Sequence, residues 1–196
     1  MSNSAARPVI NPLKVSGLTA IDELPLSFED YEDMDFTLGV AESVETRKAR
    51  FLECRIQLQS AVEWIATESV FRNSEFAIGR VGSLELAGVT MNSVVISGMR
   101  ANFASLANSK LQDVLIQNCR FDTLDFVGVN AKRVRFVDSV VEDLDLRQVA
   151  AESLDLRGLD FARVRGVSSM RNATINEYQL TQIAADLAEL AFIQVD

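Results

Sequence analysis

The densest group of ionisable side chains lies between Phe28 and Phe36, where acids alternate with aromatic and apolar residues. The acids in this stretch are Glu29, Asp30, Glu32, Asp33 and Asp35. Clustered carboxylates attract a basic partner over long distances and raise its rate of association. We therefore predict a partner-binding surface at these five residues. The alternative is a solvated terminal stretch of the fold in which Tyr31, Met34 and Phe36 point inward.

The sequence offers few of the groups that catalysis requires. It contains no histidine, so an imidazole general base is absent. It also lacks a nucleophile elbow, a P-loop and a dinucleotide-binding glycine motif. Carboxylate pairs such as Asp143 and Asp145 fall in a regular pattern without a predicted cleft, and a pair alone does not make a glycosidase site. We predict that the protein is not an enzyme and binds no cofactor.

A five-residue period organises the part of the chain that must position these side chains. Every fifth residue from Phe71 to Phe161 is apolar, which makes nineteen positions in succession. At 48% apolar composition, chance gives such a run in about one register per million. An amphipathic helix is excluded because its period of about 3.6 residues cannot stay in phase with a five-residue repeat.

A second register, two residues earlier, completes the repeating unit. It runs from Ser69 to Val164 and is apolar except at five small residues. The exceptions are Ser69, Ser74, Gly79, Ser109 and Ser139. Residues two apart on extended backbone face the same side, so both registers are predicted to point inward. Turn-forming residues mostly follow each unit, and they are Asn73, Ser83, Gly88, Ser93, Gly98, Asn108, Asp113, Asn118, Gly128, Asp138, Asp143, Ser153 and Gly158.

Short extended faces closed by turns wind into an all-β solenoid whose stacked coils share one core. Four units of five residues make a coil of 20, and the sequence aligns in blocks of 20 from Ser69 to Ser168. The repeat resembles that of the pentapeptide-repeat protein family, most clearly in CRFDT (119–123), VRFVD (134–138) and LDLRG (154–158). The resemblance implies a right-handed quadrilateral β-helix. It is specific for the fold and says little about function.

The flanking segments suggest where this β-helix begins and ends. Residues 1–28 are predicted to be a partly flexible N-terminal lead, and 29–168 the β-helix of about seven coils, roughly 34 Å long at the spacing of neighbouring strands. Residues 169–196 are predicted to hold a connector, a capping helix and a terminal edge strand or docked tail. Asn176 and Gln179 have the capping-box spacing. The apolar stripe Leu180, Ile183, Ala184, Leu187 and Leu190 is expected to cover the last coil.

Residues 20 apart are predicted to stack, so columns of charge can be read from the sequence. Arg80, Arg100 and Arg120 form a basic column beside an acidic one. The acidic column contains Glu85, Asp125 and Asp145. We expect salt bridges between the two columns, with an anion-binding site at the arginines as the alternative.

Cysteine content and hydropathy bear on the cellular location. Cys54 and Cys119 both occupy the inward small position, which predicts buried, reduced thiols unless the two lie side by side. With two cysteines and no histidine, zinc ligation is not expected. The N-terminus has no apolar signal region and no stretch approaches eighteen apolar residues, so we predict a cytoplasmic protein without a membrane span.

The charge distribution separates the candidate functions. The formal net charge is −9, and nine acids fall between Asp22 and Glu45, whereas Ser69–Ser168 contains twelve acids and twelve bases. Direct nucleic-acid binding needs an excess of Lys and Arg and is not predicted. We predict a noncatalytic interaction or scaffold protein of the bacterial type that the resemblance indicates, which binds another protein or forms a homodimer through one solenoid end. The alternative is a DNA mimic that binds DNA gyrase, as in the quinolone-resistance branch of the family, although the neutral body departs from the negative rod this role requires.

Overall fold

The computed structural model describes residues 6–10 and 17–194 and shows a parallel β-solenoid of about seven coils. Successive coils pair in register at a spacing of 20 residues, as in Phe51 with Phe71 and Phe71 with Met91. Two helices follow the last coil. The predicted all-β solenoid with a C-terminal helical cap is therefore confirmed.

The strands form one continuous sheet that follows the coils around the axis. In the first half they are β1 (Thr19–Ile21), β2 (Asp30–Glu32), β3 (Met34–Glu45), β4 (Arg50–Leu52), β5 (Arg55–Ile65), β6 (Val70–Glu85), β7 (Thr90–Ser97) and β8 (Arg100–Ser105). They continue as β9 (Lys110–Gln117), β10 (Arg120–Asp125), β11 (Asn130–Val137), β12 (Ser139–Asp145), β13 (Ala150–Asp155), β14 (Leu159–Arg165) and β15 (Ala173–Thr174). From β6 onward the odd-numbered strands stack along one side and the even-numbered strands along the other.

The two predicted inward registers make the core. Of the nineteen positions from Phe71 to Phe161, all are buried except Ala151, which is half-buried. Aromatic rings stack along the axis, with ring centroids 5.1 Å apart for Tyr31 and Phe51 and 5.0 Å apart for Phe51 and Phe71. Buried serines of the second register replace missing apolar groups with hydrogen bonds. The Ser109 hydroxyl, for example, accepts from the Val89 amide at 3.1 Å and donates to the Leu86 carbonyl at 2.9 Å.

Left-handed backbone forms most corners of the solenoid. Nine of the thirteen predicted turn positions have positive φ, and the exceptions are Ser83, Asp143, Ser153 and Gly158. Glycine and asparagine dominate these corners from Gly88 to Gly128, because both adopt this conformation at little cost.

The first three coils differ from the repeat that the sequence predicts. Leu38, Leu58 and Ile78 are buried at the position where Gly98 and Asn118 make left-handed corners in later coils. Gly79, predicted to point inward, is instead exposed, because Ile78 takes the inward place. The prediction was wrong there since it assumed identical units.

Trp64 belongs to these irregular coils and is fully buried. Its indole Nε1 donates to Thr46 Oγ1 at 2.9 Å, so the buried N–H has a partner. Trp64 is therefore a core residue.

Two described parts of the N-terminal lead contact the solenoid. Strand β1 pairs with β3 at an offset of 15 residues, Thr19 facing Met34, and extends the sheet beyond the first coil. Residues 6–10, here called the N-terminal strap, lie along one corner of the later coils. The Val9 amide donates to Asp113 Oδ1 at 2.8 Å, and the Ser153 hydroxyl donates to the Ala6 carbonyl at 3.4 Å.

The C-terminal cap begins with a 3-10 helix (Val167–Ser169) and continues with α1 (Glu177–Gln182) and α2 (Ala184–Leu190). The predicted capping box is present, because Asn176 accepts from the Gln179 amide while the Gln179 side chain accepts from the Asn176 amide. The helix is divided at Ile183, which the sequence pattern did not predict. The described residues 191–194 form a turn, so the predicted terminal strand is absent there, and residues 195–196 lie outside the described part.

Side-chain amides and Ile183, and not the leucines of the predicted apolar stripe, hold the cap against the last coil. The Gln179 Nε2 donates to the carbonyls of Leu156 at 2.7 Å and Leu159 at 2.6 Å. Asn176 and Gln182 make similar bonds to the Arg157 and Phe161 carbonyls. These bonds satisfy carbonyl groups of the terminal coil that have no following strand to pair with.

Within the described ranges 6–10 and 17–194, no helix has both the length and the apolar character needed to cross a membrane.

Candidate interaction surfaces

The five predicted partner-binding acids lie on the first coil, along β2 and the beginning of β3. Glu29, Asp30, Glu32 and Asp33 are exposed, and Asp35 is half-buried. The apolar residues between them turn inward: Phe36 is buried, and Tyr31 and Met34 pack against the core. The stretch is therefore a terminal coil of the solenoid that presents its carboxylates to solvent.

Basic residues of the next coil neutralise two of the five acids. Arg50 Nη1 lies 3.4 Å from Asp30 Oδ2, and Arg55 Nη1 lies 3.6 Å from Asp35 Oδ2. Both pairs join residues 20 apart, so the stacking rule used for the arginine column also predicts them. Among the described residues, Glu29, Glu32 and Asp33 form no ion pair. Of the five predicted acids, these three therefore keep a free negative charge.

Exposed apolar side chains accompany these acids at the N-terminal end. Phe28 is 72% exposed, and Leu24 and Leu26 are also exposed. Leu26 is held in place through its amide, which donates to the Tyr31 hydroxyl at 2.7 Å. The N-terminal end therefore presents a mixed surface of apolar groups and carboxylates.

The C-terminal cap exposes a larger apolar surface, here called the cap surface. It consists of Tyr178, Leu180, Leu187, Leu190, Phe192 and Ile193, all exposed. Of the stripe predicted to cover the last coil, only Ile183 is buried. The prediction was wrong because the amides of α1 occupy the contact with the coil, which turns the leucines outward.

A depression of about 700 Å³ lies between the cap and the last coil. Val164, Gly166 and Val167 line it on one side, and Leu190 and Phe192 line it on the other. Phe192 is 96% exposed. Arg147, Arg165, Asp186 and Glu189 also line it, so apolar and charged side chains share this depression.

The predicted salt bridges between the arginine and acidic columns are absent among the described residues. Asp125 accepts from the Ser105 hydroxyl at 3.2 Å, and Asp145 pairs with Arg147 at 2.7 Å and with Arg165 at 3.5 Å. Of the three column arginines, Arg120 alone forms an ion pair within the described part of the chain, with Glu142 at 3.4 Å. Ion pairs between neighbouring coils join other residues instead, such as Arg133 with Asp113 and Arg163 with Asp143.

The Asp145 carboxylate is the acid whose titration bears most clearly on stability. Hydrogen bonds from the Arg147 side chain hold the pKa of Asp145 below its usual value, although burial opposes this. The interaction of Asp145 with Arg147 therefore contributes fully to the free energy of unfolding above about pH 4, which is the pKa of an ordinary Asp. The contribution is lost as the pH falls through the lowered pKa of Asp145. We expect Asp145→Asn to lower the free energy of unfolding, measured in urea, by about 1–2 kcal/mol at pH 7 and by much less at pH 2. Asp122→Asn, at an exposed acid that pairs with no base in the described part of the chain, serves as the control and should cost nothing at either pH.

The two cysteines are free and buried, on different faces of the solenoid. Burial raises the pKa of both Cys54 and Cys119 to about 11, so neither thiol ionises near neutral pH. Over the described residues, no group of three or more potential His, Cys, Asp or Glu ligands is placed to hold a metal ion.

Comparison of the chain with protein-family models and with curated proteins finds no match to either.

Proposed function

We propose that this chain is a noncatalytic protein of the pentapeptide-repeat type that works by binding proteins, with the cap surface as its main contact. The rigid solenoid holds its two ends at a fixed separation. One end is apolar and the other is acidic, which suits a scaffold. In line with the family resemblance, we propose a bacterial, cytoplasmic setting.

The cap surface is the observation that carries this proposal. Six exposed apolar side chains belong to two short helices and the turn after them. Helix α2 has no buried residue, so its apolar side chains contribute little to the core of the single chain. A second copy of the chain is the partner we propose, because a self-complementary apolar patch at one end closes into a two-fold dimer.

The three unpaired acids among the five predicted ones supply a second contact, of different chemistry. Glu29, Glu32 and Asp33 lie at the opposite end from the cap surface, so a dimer formed through the caps leaves them accessible. Unpaired carboxylates beside exposed Phe28 suit a basic protein partner, since the charges guide its approach and the ring adds apolar contact.

The alternative of a DNA mimic that binds DNA gyrase requires a rod with a strong excess of negative charge. The body from Ser69 to Ser168 contains equal numbers of acids and bases. Many of its acids are also paired with arginines in neighbouring coils. This charge pattern supports the interaction protein over the mimic.

Light scattering on the full chain tests the proposed dimer. We expect the wild type to have twice the 21.6 kDa mass of one chain, and the double variant Leu190→Asp with Phe192→Asp to be a monomer. Val62→Asp places the same charge at a 66% exposed valine on the side of the rod and should remain a dimer. A monomeric wild type would contradict the proposed dimer.

Affinity capture from native lysate then tests the acidic end. The baits are the wild type and the triple variant Glu29→Gln, Glu32→Gln, Asp33→Asn. A partner that is held by the wild type and lost with the triple variant supports the proposed second contact. Equal capture by both baits speaks against it, and gyrase as the captured protein favours the DNA mimic.

A further inference from the structure

Two arginines on the side of the solenoid face each other without a compensating acid among the described residues. Arg80 in β6 pairs in register with Arg100 in β8, and Arg100 pairs in register with Arg120 in β10. Neighbouring strands lie about 4.8 Å apart, so these guanidinium groups share one narrow strip. Like charges placed directly opposite on a sheet are destabilising.

The rest of the solenoid avoids this situation. Where a basic residue stacks on another coil, an acid usually lies 20 residues away, as for Arg50 with Asp30 and Arg163 with Asp143. Arg120, the third member of the column, has Glu142 as a partner. In the described ranges, Arg80 and Arg100 have no ion pair, so two positive charges remain uncompensated at this place.

The surface beside the two arginines is open. A depression of about 250 Å³ is lined by Arg80, Arg100, Asn102 and the neighbouring Arg120 and Asp122. Gly82, two residues after Arg80, lies against strand β5 of the preceding coil. A Cβ at Gly82 would lie 2.5 Å from the Val62 carbonyl oxygen, so the close approach of the two strands requires glycine here.

We propose that Arg80 and Arg100 bind a phosphoryl group. Two guanidinium forks carry two positive charges, and a phosphoryl dianion offers three acceptor oxygens and up to two negative charges, so both charge and geometry match. Asn102 lines the same depression, and its side-chain amide is a further hydrogen-bond donor. A carboxylate, with one charge and two oxygens, would occupy only one fork.

The same residues disfavour a long polyanion such as DNA. Among the described residues of this column, the uncompensated charge is confined to Arg80 and Arg100, because Arg120 pairs with Glu142, and Asp160 follows further along the column. A duplex presents phosphates over many ångströms and needs an extended basic strip. A single phosphoryl group, free or displayed on a protein, is the ligand that this short strip fits.

Thermal unfolding of the full chain, with and without inorganic phosphate, tests the site. In phosphate-free buffer we expect Arg100→Gln to raise the melting temperature, because it removes the repulsion with Arg80. Ten millimolar phosphate should raise the melting temperature of the wild type and leave Arg80→Gln and Arg100→Gln unchanged. Arg72→Gln, at an exposed arginine on another face that pairs with no described acid, is the control and should respond like the wild type. Phosphate also stabilises proteins by exclusion from their surface, so an equal rise in all variants would overturn the proposal.

Calorimetric titration separates the two sources of the phosphoryl group. The probes are inorganic phosphate and an acetyl-Gly-phosphoSer-Gly-amide peptide, with the unphosphorylated peptide as reference. Binding of either phosphorylated probe that weakens at least tenfold in Arg100→Gln, but not in Arg72→Gln, supports the site; tighter binding of the peptide identifies a phosphorylated protein as the source. A 20-base-pair duplex that binds more tightly than both probes would overturn the choice of a single phosphoryl group.

Discussion

The variant Phe136→Asp is expected to have no cooperative unfolding transition at 25 °C. Phe136 is 1% exposed and packs against Phe126, with ring centroids 5.8 Å apart. An aspartate there would lose the apolar contacts and bury a carboxylate without a partner. The combined cost exceeds about 4 kcal/mol, a large part of the stability of an ordinary domain. Circular dichroism in a urea titration measures it.

The same substitution at an exposed phenylalanine is the control. Phe28 is 72% exposed and has φ of 66°, a conformation that aspartate tolerates better than phenylalanine. Phe28→Asp should therefore leave the urea midpoint unchanged or slightly higher. If Phe136→Asp unfolded at the wild-type midpoint, the inward orientation of this register would be incorrect.

The variant Gly79→Ala adds a single methyl group, and we expect it to lower the free energy of unfolding by about 1–3 kcal/mol. A Cβ at Gly79 would lie 2.3 Å from the Gln59 carbonyl oxygen, closer than atoms can approach. That oxygen belongs to the backbone of strand β5, which is paired on both sides and cannot move without disturbing neighbouring coils. The variant should therefore unfold at a lower urea concentration.

Gly39 gives a matched control in the same column, two coils earlier. No atom lies within 4 Å of a Cβ built at Gly39, because this part of β3 has no preceding strand beside it among the described residues. Gly39→Ala should be neutral or stabilise the protein by up to about 1 kcal/mol, since alanine restricts the unfolded chain. Equal losses for the two variants would show that backbone flexibility, and not the close approach, sets the cost.

The core was predictable from the sequence because a period of five residues directly identifies the positions whose side chains point inward. That argument holds where the units are alike, as from Met91 to Phe136. It failed at Ile78 and Gly79, where an apolar residue at a corner position competes for the interior. A repeat count cannot settle that competition, which depends on the volume that neighbouring coils leave free.

The candidate surfaces were predictable in part. The pairing of Asp30 with Arg50 follows from stacking at 20 residues, and the sequence contained that signal. The predicted orientation of the cap was wrong, because its leucines give a stronger helical pattern than its Asn and Gln side chains do. Asn176, Gln179 and Gln182 recur every three residues, and this spacing is the sequence signal for the face that contacts the coil.

The position of the N-terminal strap has a consequence for the order in which the molecule is assembled. Each coil pairs with residues about 20 positions away, so a growing chain can add coils one after another as it leaves the ribosome. The strap contacts are different, because Val9 and Asp113 are 104 residues apart and Ala6 and Ser153 are 147 apart. Residues 6–10 are synthesised before the coils that they contact, so they can make these contacts only after those much later coils have formed.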